Sequence, residues 1–161
     1  AYTFVGSYLW ARFGLSLDLV GLIVAGFGVG GLIYSGTASR LLRSLGEKGL
    51  AVWGGALVAV SFVIITVSNT PLLVVLGTIL AGLSYYMLHN TLQTHATQMA
   101  PDARGLAVAT FASCLFLGQA AGVALAAPIY DNTGGPPLFL TGAALIFVLG
   151  IVFRRLLRYR P

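Results

Sequence analysis

The feature that most constrains this chain is a series of long apolar runs separated only by short, turn-forming sequences. A helix needs about 20 apolar residues to cross the hydrocarbon core of a bilayer. Five runs reach this length, and a sixth run at the start of the chain is shorter. The predicted helices cover residues 1–13, 17–39, 49–68, 71–99, 103–130 and 137–157. We therefore predict an all-α membrane protein, a six-helix bundle within residues 1–161 whose first helix is truncated.

The composition excludes an ordinary water-soluble domain. Only 8% of the residues are charged and 58% are hydrophobic, whereas soluble domains carry about 25% charged residues. The chain does not start with Met, and its first residues have neither the basic segment nor the small-residue cleavage site of a signal peptide. We expect the chain to begin partway through a membrane helix and to be a piece of a longer protein.

The basic residues predict an orientation, because alternating crossings place almost all of them on the same side. That side carries Arg40, Arg43, Lys48, Arg104, Arg154, Arg155, Arg158 and Arg160, and the other side carries only Arg12. The positive-inside rule makes the first side cytoplasmic, so the loop at 40–48 and the C-terminus are predicted to face the cytoplasm. The cations sit at the ends of apolar runs without interleaved aromatic residues, so nucleic-acid binding is not expected.

Small residues recur along two of the predicted helices. Gly26 and Gly30 have GxxxG spacing, and Cys114, Gly118, Gly122 and Ala126 follow one another at intervals of four. Small residues let membrane helices approach closely, which strengthens their dispersion contacts. Ordinary packing explains both stripes, and an interface that slides between two states explains them as well.

Three sequence segments resemble the major facilitator superfamily of transporters. The segment "GTASRLLRSLGEKG" resembles the basic loop signature between the second and third helices of one half of such a transporter. Its matching positions are Arg40, Leu41, Gly46 and Lys48. Ser39 replaces the first glycine of the signature, Arg43 replaces its acid and Ser44 replaces the following arginine. "APDARG" and "LGQAAG" resemble the entry and the small-residue face of the eleventh helix.

The resemblance implies the carboxy-terminal half of a transporter, from the end of helix seven to helix twelve. That half consists of two three-helix inverted repeats, and it works against an amino-terminal six-helix half that this chain lacks. The nearest likeness is to bacterial efflux transporters of the inner membrane. Residues implied in conformational change or in the contact between the halves are Arg40, Gly46, Lys48, Arg104, Gly118, Gln119 and Gly122. Gln119 either faces the other half or bonds a neighbouring helix.

The predicted helix 71–99 contains a polar stretch in which eight of the ten residues from His89 to Gln98 are polar. On a helical wheel, one stripe contains Tyr86, His89, Asn90, Gln93 and Thr97, and a second contains Thr91, His95 and Gln98. Lipid cannot satisfy such groups, so their neighbour is either a water-filled cavity or an adjacent helix. We favour a substrate cavity for the first stripe and helix packing for the second.

The titratable residues argue against a metal site, a cofactor or an enzyme. His89 and His95 are six residues apart, so they diverge by about 120° on a helix and do not form an i,i+4 chelate. No nucleophile motif of a hydrolase is present. All four acids fall at predicted helix ends or loops, which leaves His89 as the deep candidate for proton coupling in this chain. The alternative is a neutral histidine that only forms hydrogen bonds.

Together these observations predict a secondary active transporter. By resemblance, it would export a small organic molecule such as a drug, sugar or metabolite by alternating access, coupled to protons. Its expected partners are the lipid bilayer, the substrate and the missing amino-terminal half. The alternative is a non-transporting six-helix membrane protein, either a channel subunit or an assembly scaffold.

Tyr8 and Trp10 are predicted to anchor the first segment at the membrane interface.

Overall fold

A computed structural model describes residues 1–156 of the chain, and Arg158 and Arg160 lie outside the described residues. Within that range the secondary structure is entirely helical. The α-helices are α1 (Val5–Phe13), α2 (Leu17–Val67), α3 (Pro71–Gln98), α4 (Arg104–Thr133) and α5 (Gly135–Leu156). Short 3-10 turns precede α1 and α4. The helices α2 to α5 are long and apolar enough to cross a membrane, so residues 1–156 contain four candidate spans.

The predicted loop at 40–48 is wrong in its extent, because α2 is helical throughout except at Gly46. This glycine has φ 65° and ψ 174°, and it bends α2 into two arms, residues 17–45 and 47–67. The arms occupy the sequence of the predicted helices 17–39 and 49–68, so two of the six predicted helices are the arms of one bent helix. Hydropathy detects only the part of a helix that lies in hydrocarbon. The segment from Arg40 to Leu45 continues the helix because arginine and leucine are good helix formers.

The two arms of α2 run antiparallel and pack on each other. Val20 and Ile23 from the first arm share a buried cluster with Phe62 and Ile65 from the second. Nearer the bend, Tyr34 packs in a second cluster with Leu50. Pairing of the start of one arm with the end of the other is the arrangement expected of a hairpin. The bend at Gly46 therefore lies at one end of the bundle.

Helix α3 lies against both arms at distances that only glycine permits. A Cβ atom on Gly82 would come within 1.9 Å of the Phe27 carbonyl oxygen, and one on Gly30 within 2.0 Å of the Ile79 carbonyl oxygen. The Thr78 hydroxyl donates a 2.9 Å hydrogen bond across this contact to the Ile23 carbonyl. The glycines on α2 thus serve close helix packing against α3.

Helices α1 and α5 complete the packed group around the second arm. Gly55 and Gly150 bring the second arm and α5 into backbone contact. The ring of Tyr8 on α1 meets the ring of Phe139 on α5 edge-to-face, with centroids 5.1 Å apart. Tyr8 is only 5% exposed, so it is part of the core and the prediction that it anchors the membrane interface is wrong.

Helix α4 differs from the other helices because it buries almost nothing. Ala126 is its one buried residue. The helix contacts the rest of the described chain at Phe111, whose ring lies 5.5 Å from that of His89, and at Tyr130, which stacks on Phe4 at 5.0 Å. Its large apolar side chains, including Leu106, Leu117 and Leu125, are exposed. The helix leaves most of its surface to lipid or to a partner.

Candidate functional site

The buried hydroxyls of α3 form hydrogen bonds within the helix itself. Ser84 donates to the Leu80 carbonyl at 2.5 Å, and Thr91 donates to the Met87 carbonyl at 2.7 Å. Helix packing was the favoured role for the stripe that contains Thr91, and Thr91 is indeed buried. However, its hydrogen bond runs to its own helix and not to a neighbouring one, which is how a hydroxyl inside a helix avoids an unsatisfied donor.

His95 lies close to the bend of α2. Its Nε2 atom is 2.9 Å from Oε2 of Glu47, which follows Gly46 directly. The imidazole is buried and its nitrogens do not make a hydrogen bond of good geometry within the described residues, so the contact with Glu47 is one of proximity. The ring also meets Phe153 of α5 edge-on, with centroids 5.7 Å apart. His95 thereby connects the end of α3 to α2 and α5.

Tyr86, the first residue of the predicted substrate stripe, packs among aromatic rings. Its ring covers Gly31, where a Cβ atom would come within 2.5 Å of the Tyr86 ring. The rings of Phe27, Tyr34 and Tyr85 lie within 6.5 Å of it. Tyr86 therefore belongs to the contact between α3 and the first arm of α2.

His89 faces α4 and not the arms of α2. The hydroxyl of Tyr85 lies 3.5 Å from its Nδ1 atom, and the two rings stack at 5.2 Å. Phe111 of α4 covers the ring from another side. His89 is half-buried between these rings.

Asn90, Gln93 and Thr97 have three different environments. Asn90 lines a cavity of about 200 Å³ between α3 and both arms of α2, together with Tyr34, Ser39 and Glu47. Thr97 lines a separate pocket of about 400 Å³, and its hydroxyl donates to the Gln93 carbonyl at 2.8 Å. Gln93 is half-buried. The five stripe residues thus lie on one length of α3 but do not line one common cavity within the described chain.

The residues expected to act in conformational change or in contact between halves are spread over three places. Arg40 and Lys48 are exposed on either side of the bend at Gly46. Arg104 lines the same 400 Å³ pocket as Thr97. On α4, Gly118, Gln119 and Gly122 are all exposed, and a Cβ atom on either glycine would meet nothing within 4 Å. The small-residue stripe of α4 therefore has no packing partner in the described part of the chain.

Sequence reasoning missed a polar clamp at the end of the bundle opposite the bend. The Arg12 guanidinium donates to the Tyr8 hydroxyl, to the Thr66 carbonyl at 3.0 Å and to the Asn69 side-chain oxygen at 3.0 Å. Thr66 and Asn69 flank the end of α2, so the clamp ties the last turn of α1 to the turn before α3. The only sequence signal was that Arg12 is the one cation predicted on its side of the membrane.

No group of three or more metal-ligating side chains occurs among residues 1–156.

Four long apolar helices, one of which carries a polar stretch into the packed group, define the chain as a multi-pass α-helical membrane protein. The sequence matches the Major Facilitator Superfamily over residues 1–161. The chain belongs to this family of membrane transporters, so it is not an enzyme and the predicted family is confirmed. No curated protein and no solved structure matches the chain.

Proposed function

We propose that this chain is the carboxy-terminal half of a secondary transporter that exports a small organic molecule by alternating access, driven by a proton gradient. The observation that carries the proposal is the polar stretch of α3, which brings amides, hydroxyls and an imidazole into a chain of otherwise apolar helices. Such groups within a span are expensive in lipid and mark substrate or ion pathways. Two cavities, lined by Asn90 and by Thr97, open along this stretch.

In the proposed site, Tyr86, His89, Asn90, Gln93 and Thr97 form hydrogen bonds to a neutral or weakly polar substrate. None of these side chains carries a permanent charge, so a strongly anionic substrate would depend on cations from elsewhere. His89 is the proposed proton carrier, because it is a half-buried imidazole within the span α3, packed between Tyr85 and Phe111 of α4. Imidazole is suited to this role since its ordinary pKa lies near neutrality.

An amino-terminal half is the proposed partner, and α4 supplies the argument for it. The exposed surface around Gly118, Gln119 and Gly122 is smooth enough for another helix to approach its backbone. With that half in place, the separate openings along α3 would be closed off from lipid and joined into one cavity at the interface. The bend with Arg40, Gly46 and Lys48 and the start of α4 at Arg104 would rock together as one end of this half.

The proposed location is the inner membrane of a bacterium, with the bend of α2 and the C-terminus in the cytoplasm. The described cations support this orientation. Gly46, Glu47 and His95 lie at the same end of the bundle as Phe153, which directly precedes Arg154 and Arg155. Arg12 lies at the opposite end, beside Thr66 and Asn69. Cytoplasmic ends of membrane helices carry an excess of such cations.

Transport by the full-length protein in everted membrane vesicles tests the proposal. We expect energised vesicles to accumulate at least one of three probes: ethidium, a non-metabolised sugar or a neutral amino acid. His89→Leu and Gln93→Leu should each lower the initial rate by about two- to tenfold, because each removes a hydrogen bond to a neutral group, worth about 0.5–1.5 kcal/mol. Thr141→Leu is the matched control, since this exposed hydroxyl on α5 already donates to the Pro137 carbonyl.

Two results would count against the proposal in different ways. Undiminished transport by both leucine variants would remove the assigned site but not the transporter. Failure of the wild-type protein to move any probe above the level of empty vesicles, with or without a pH gradient, would favour a non-transporting channel subunit or scaffold.

A further inference from the structure

The 400 Å³ pocket between the end of α3 and the start of α4 has the chemistry of an anion site. Its lining consists of Thr94, Thr97, Gln98, Pro101 and Arg104. None of these residues is acidic, and four of the five carry a polar side chain. The volume falls within the range of about 300–1,000 Å³ that is usual for small-molecule sites.

The hydrogen-bond donors of Arg104, Thr94 and Gln98 have no partner among the described residues. In this they differ from the Arg12 guanidinium, which forms the clamp at the opposite end of the bundle. Arg104, Thr94 and Gln98 make no side-chain hydrogen bond or ion pair to another described residue, whereas Arg12 has three partners. The Thr97 hydroxyl already donates to the Gln93 carbonyl. The pocket therefore offers the guanidinium of Arg104 from α4 and the unused donors of Thr94 and Gln98 from α3.

The geometry of these donors favours a tetrahedral anion. Thr94 and Gln98 are four residues apart, so they lie on the same face of α3. The turn between α3 and α4 brings Arg104 to the same pocket. A guanidinium pairs its N–H groups with two oxygens at once. A phosphate has further oxygens for the side chains of α3, whereas a carboxylate has only two oxygens, both on one edge.

The charge around the pocket also favours an anion. Thr94 additionally lines the neighbouring cavity that contains Ser39 and Glu47, so the pocket adjoins the bend of α2. The only acid in that adjoining cavity, Glu47, lies against His95. The cations at this end of the described bundle are Arg40, Arg43, Lys48, Arg104, Arg154 and Arg155, against the acids Glu47 and Asp102. The local field thus attracts anions from solution or from the membrane surface.

We propose that Arg104, Thr94 and Gln98 form a phosphate-binding site at this end of the transporter, in a pocket that adjoins the substrate stripe on α3 at Thr97. The phosphate belongs either to the headgroup of an anionic lipid or to a soluble phosphorylated compound. The site does not depend on the proposed direction or coupling of transport.

The test uses the full-length protein purified in detergent, with one arm for each source of phosphate. Equilibrium dialysis with radiolabelled inorganic phosphate measures the soluble arm. Native mass spectrometry of protein offered phosphatidylglycerol or phosphatidylcholine measures the lipid arm. We expect binding in at least one arm, with phosphatidylglycerol retained in preference to phosphatidylcholine if the source is lipid. Arg104→Gln should weaken that binding about tenfold, the loss expected for one charge-assisted pair of hydrogen bonds.

Two variants distinguish binding in this pocket from non-specific attraction by the positive charge at this end of the bundle. Arg104→Lys keeps the charge but not the paired N–H groups, so it should bind at an intermediate level. Arg43→Gln removes the same charge from the same end without touching the pocket, and it should bind as the wild type does. Thermal unfolding of each variant checks that the fold is retained. Absence of binding in both arms, or an equal loss in Arg43→Gln and Arg104→Gln, would overturn the proposal.

Discussion

Gly46 has a backbone conformation that other residues rarely adopt, and it allows α2 to reverse direction in a single residue. Its φ of 65° combined with ψ of 174° lies in a region that is almost exclusive to glycine. A Cβ atom at this position would meet nothing within 4 Å. Any effect of substitution therefore comes from the backbone and not from a clash.

Gly46→Ala should lower the free energy of unfolding by about 1–3 kcal/mol, the usual cost of holding a side-chain-bearing residue in such a conformation. Unfolding in mixed detergent, followed by circular dichroism, measures the change. Gly36→Ala is the matched control, because Gly36 also has open space around it but lies in a regular helix, where alanine is neutral or favourable. Equal stability of the two variants would show that the bend does not require glycine.

Arg12 is the one described Lys or Arg at its end of the bundle. Its hydrogen bonds to Thr66 and Asn69 explain why a cation lies there. Its guanidinium satisfies the Thr66 carbonyl in the last turn of α2, which has no partner further along that helix. Arg12→Gln should destabilise the protein by about 1 kcal/mol, because an exposed side chain retains water as an alternative partner. Arg43→Gln, at an exposed position without a described hydrogen bond, should leave stability unchanged.

A double-mutant cycle tests whether the clamp is a direct interaction. Arg12→Gln combined with Asn69→Ala should show a coupling of about 0.5 kcal/mol or more, as residues in one hydrogen-bond network do. Additive effects of the two substitutions would instead assign the loss to each residue separately.

Among the helices, α2 and α3 make the contact that organises the fold. Gly82 lies against the backbone of Phe27, so even one methyl group would force the helices apart. Gly82→Ala should cost about 1–3 kcal/mol, as overpacking of a close interface does. Unfolding in mixed detergent reports the loss, and Gly21→Ala, where the added Cβ atom meets nothing within 4 Å, provides the comparison. Similar stabilities for these variants would contradict the close contact.

The sequence predicted where apolar helices occur, but only in part how they end and pack. Hydropathy located the membrane portions of α2 to α5, because long apolar runs have few other solutions. It missed the helical continuation through Arg40 and Arg43, since charged residues outside the hydrocarbon do not end a helix. The GxxxG spacing of Gly26 and Gly30 correctly indicated close packing. Similar spacing of Gly118 and Gly122 gave no packing within the described chain, because spacing alone does not identify a partner.

Sequence-based prediction was limited in the same way for the candidate site on α3: it placed residues on a face of the helix but did not identify their neighbours. The helical wheel placed Tyr86, His89 and Asn90 on one face, and all three are half-buried there. Which neighbour each side chain meets depends on packing between helices: Tyr86 meets an aromatic cluster, His89 meets Phe111, and Asn90 meets a cavity. Long-range pairs such as Glu47 with His95 have no signature in a single sequence, because their separation along the chain is unrelated to their distance in space.

The two ends of the bundle differ in charge, which predicts how the whole protein sits in the membrane. In a background with Cys114→Ala, a membrane-impermeant maleimide added to intact cells should label Asn132→Cys. It should label Ser44→Cys and Asp102→Cys only after the cells are permeabilised, because those positions belong to the cation-rich end. Labelling of Ser44→Cys in intact cells would reverse the orientation, and labelling of Ser44→Cys and Asp102→Cys from different sides would contradict the fold.

The sparse packing of α4 has a consequence for how such proteins diversify. Most substitutions along this helix meet no neighbour in the described part of the chain, so they should leave the folding of the other four helices nearly unchanged. Selection therefore acts on α4 mainly through what it touches outside the chain, and lineages descended from one gene can alter this helix at little cost in stability. Novel specificities should arise there sooner than on α2, where a single added methyl group at a glycine contact is penalised.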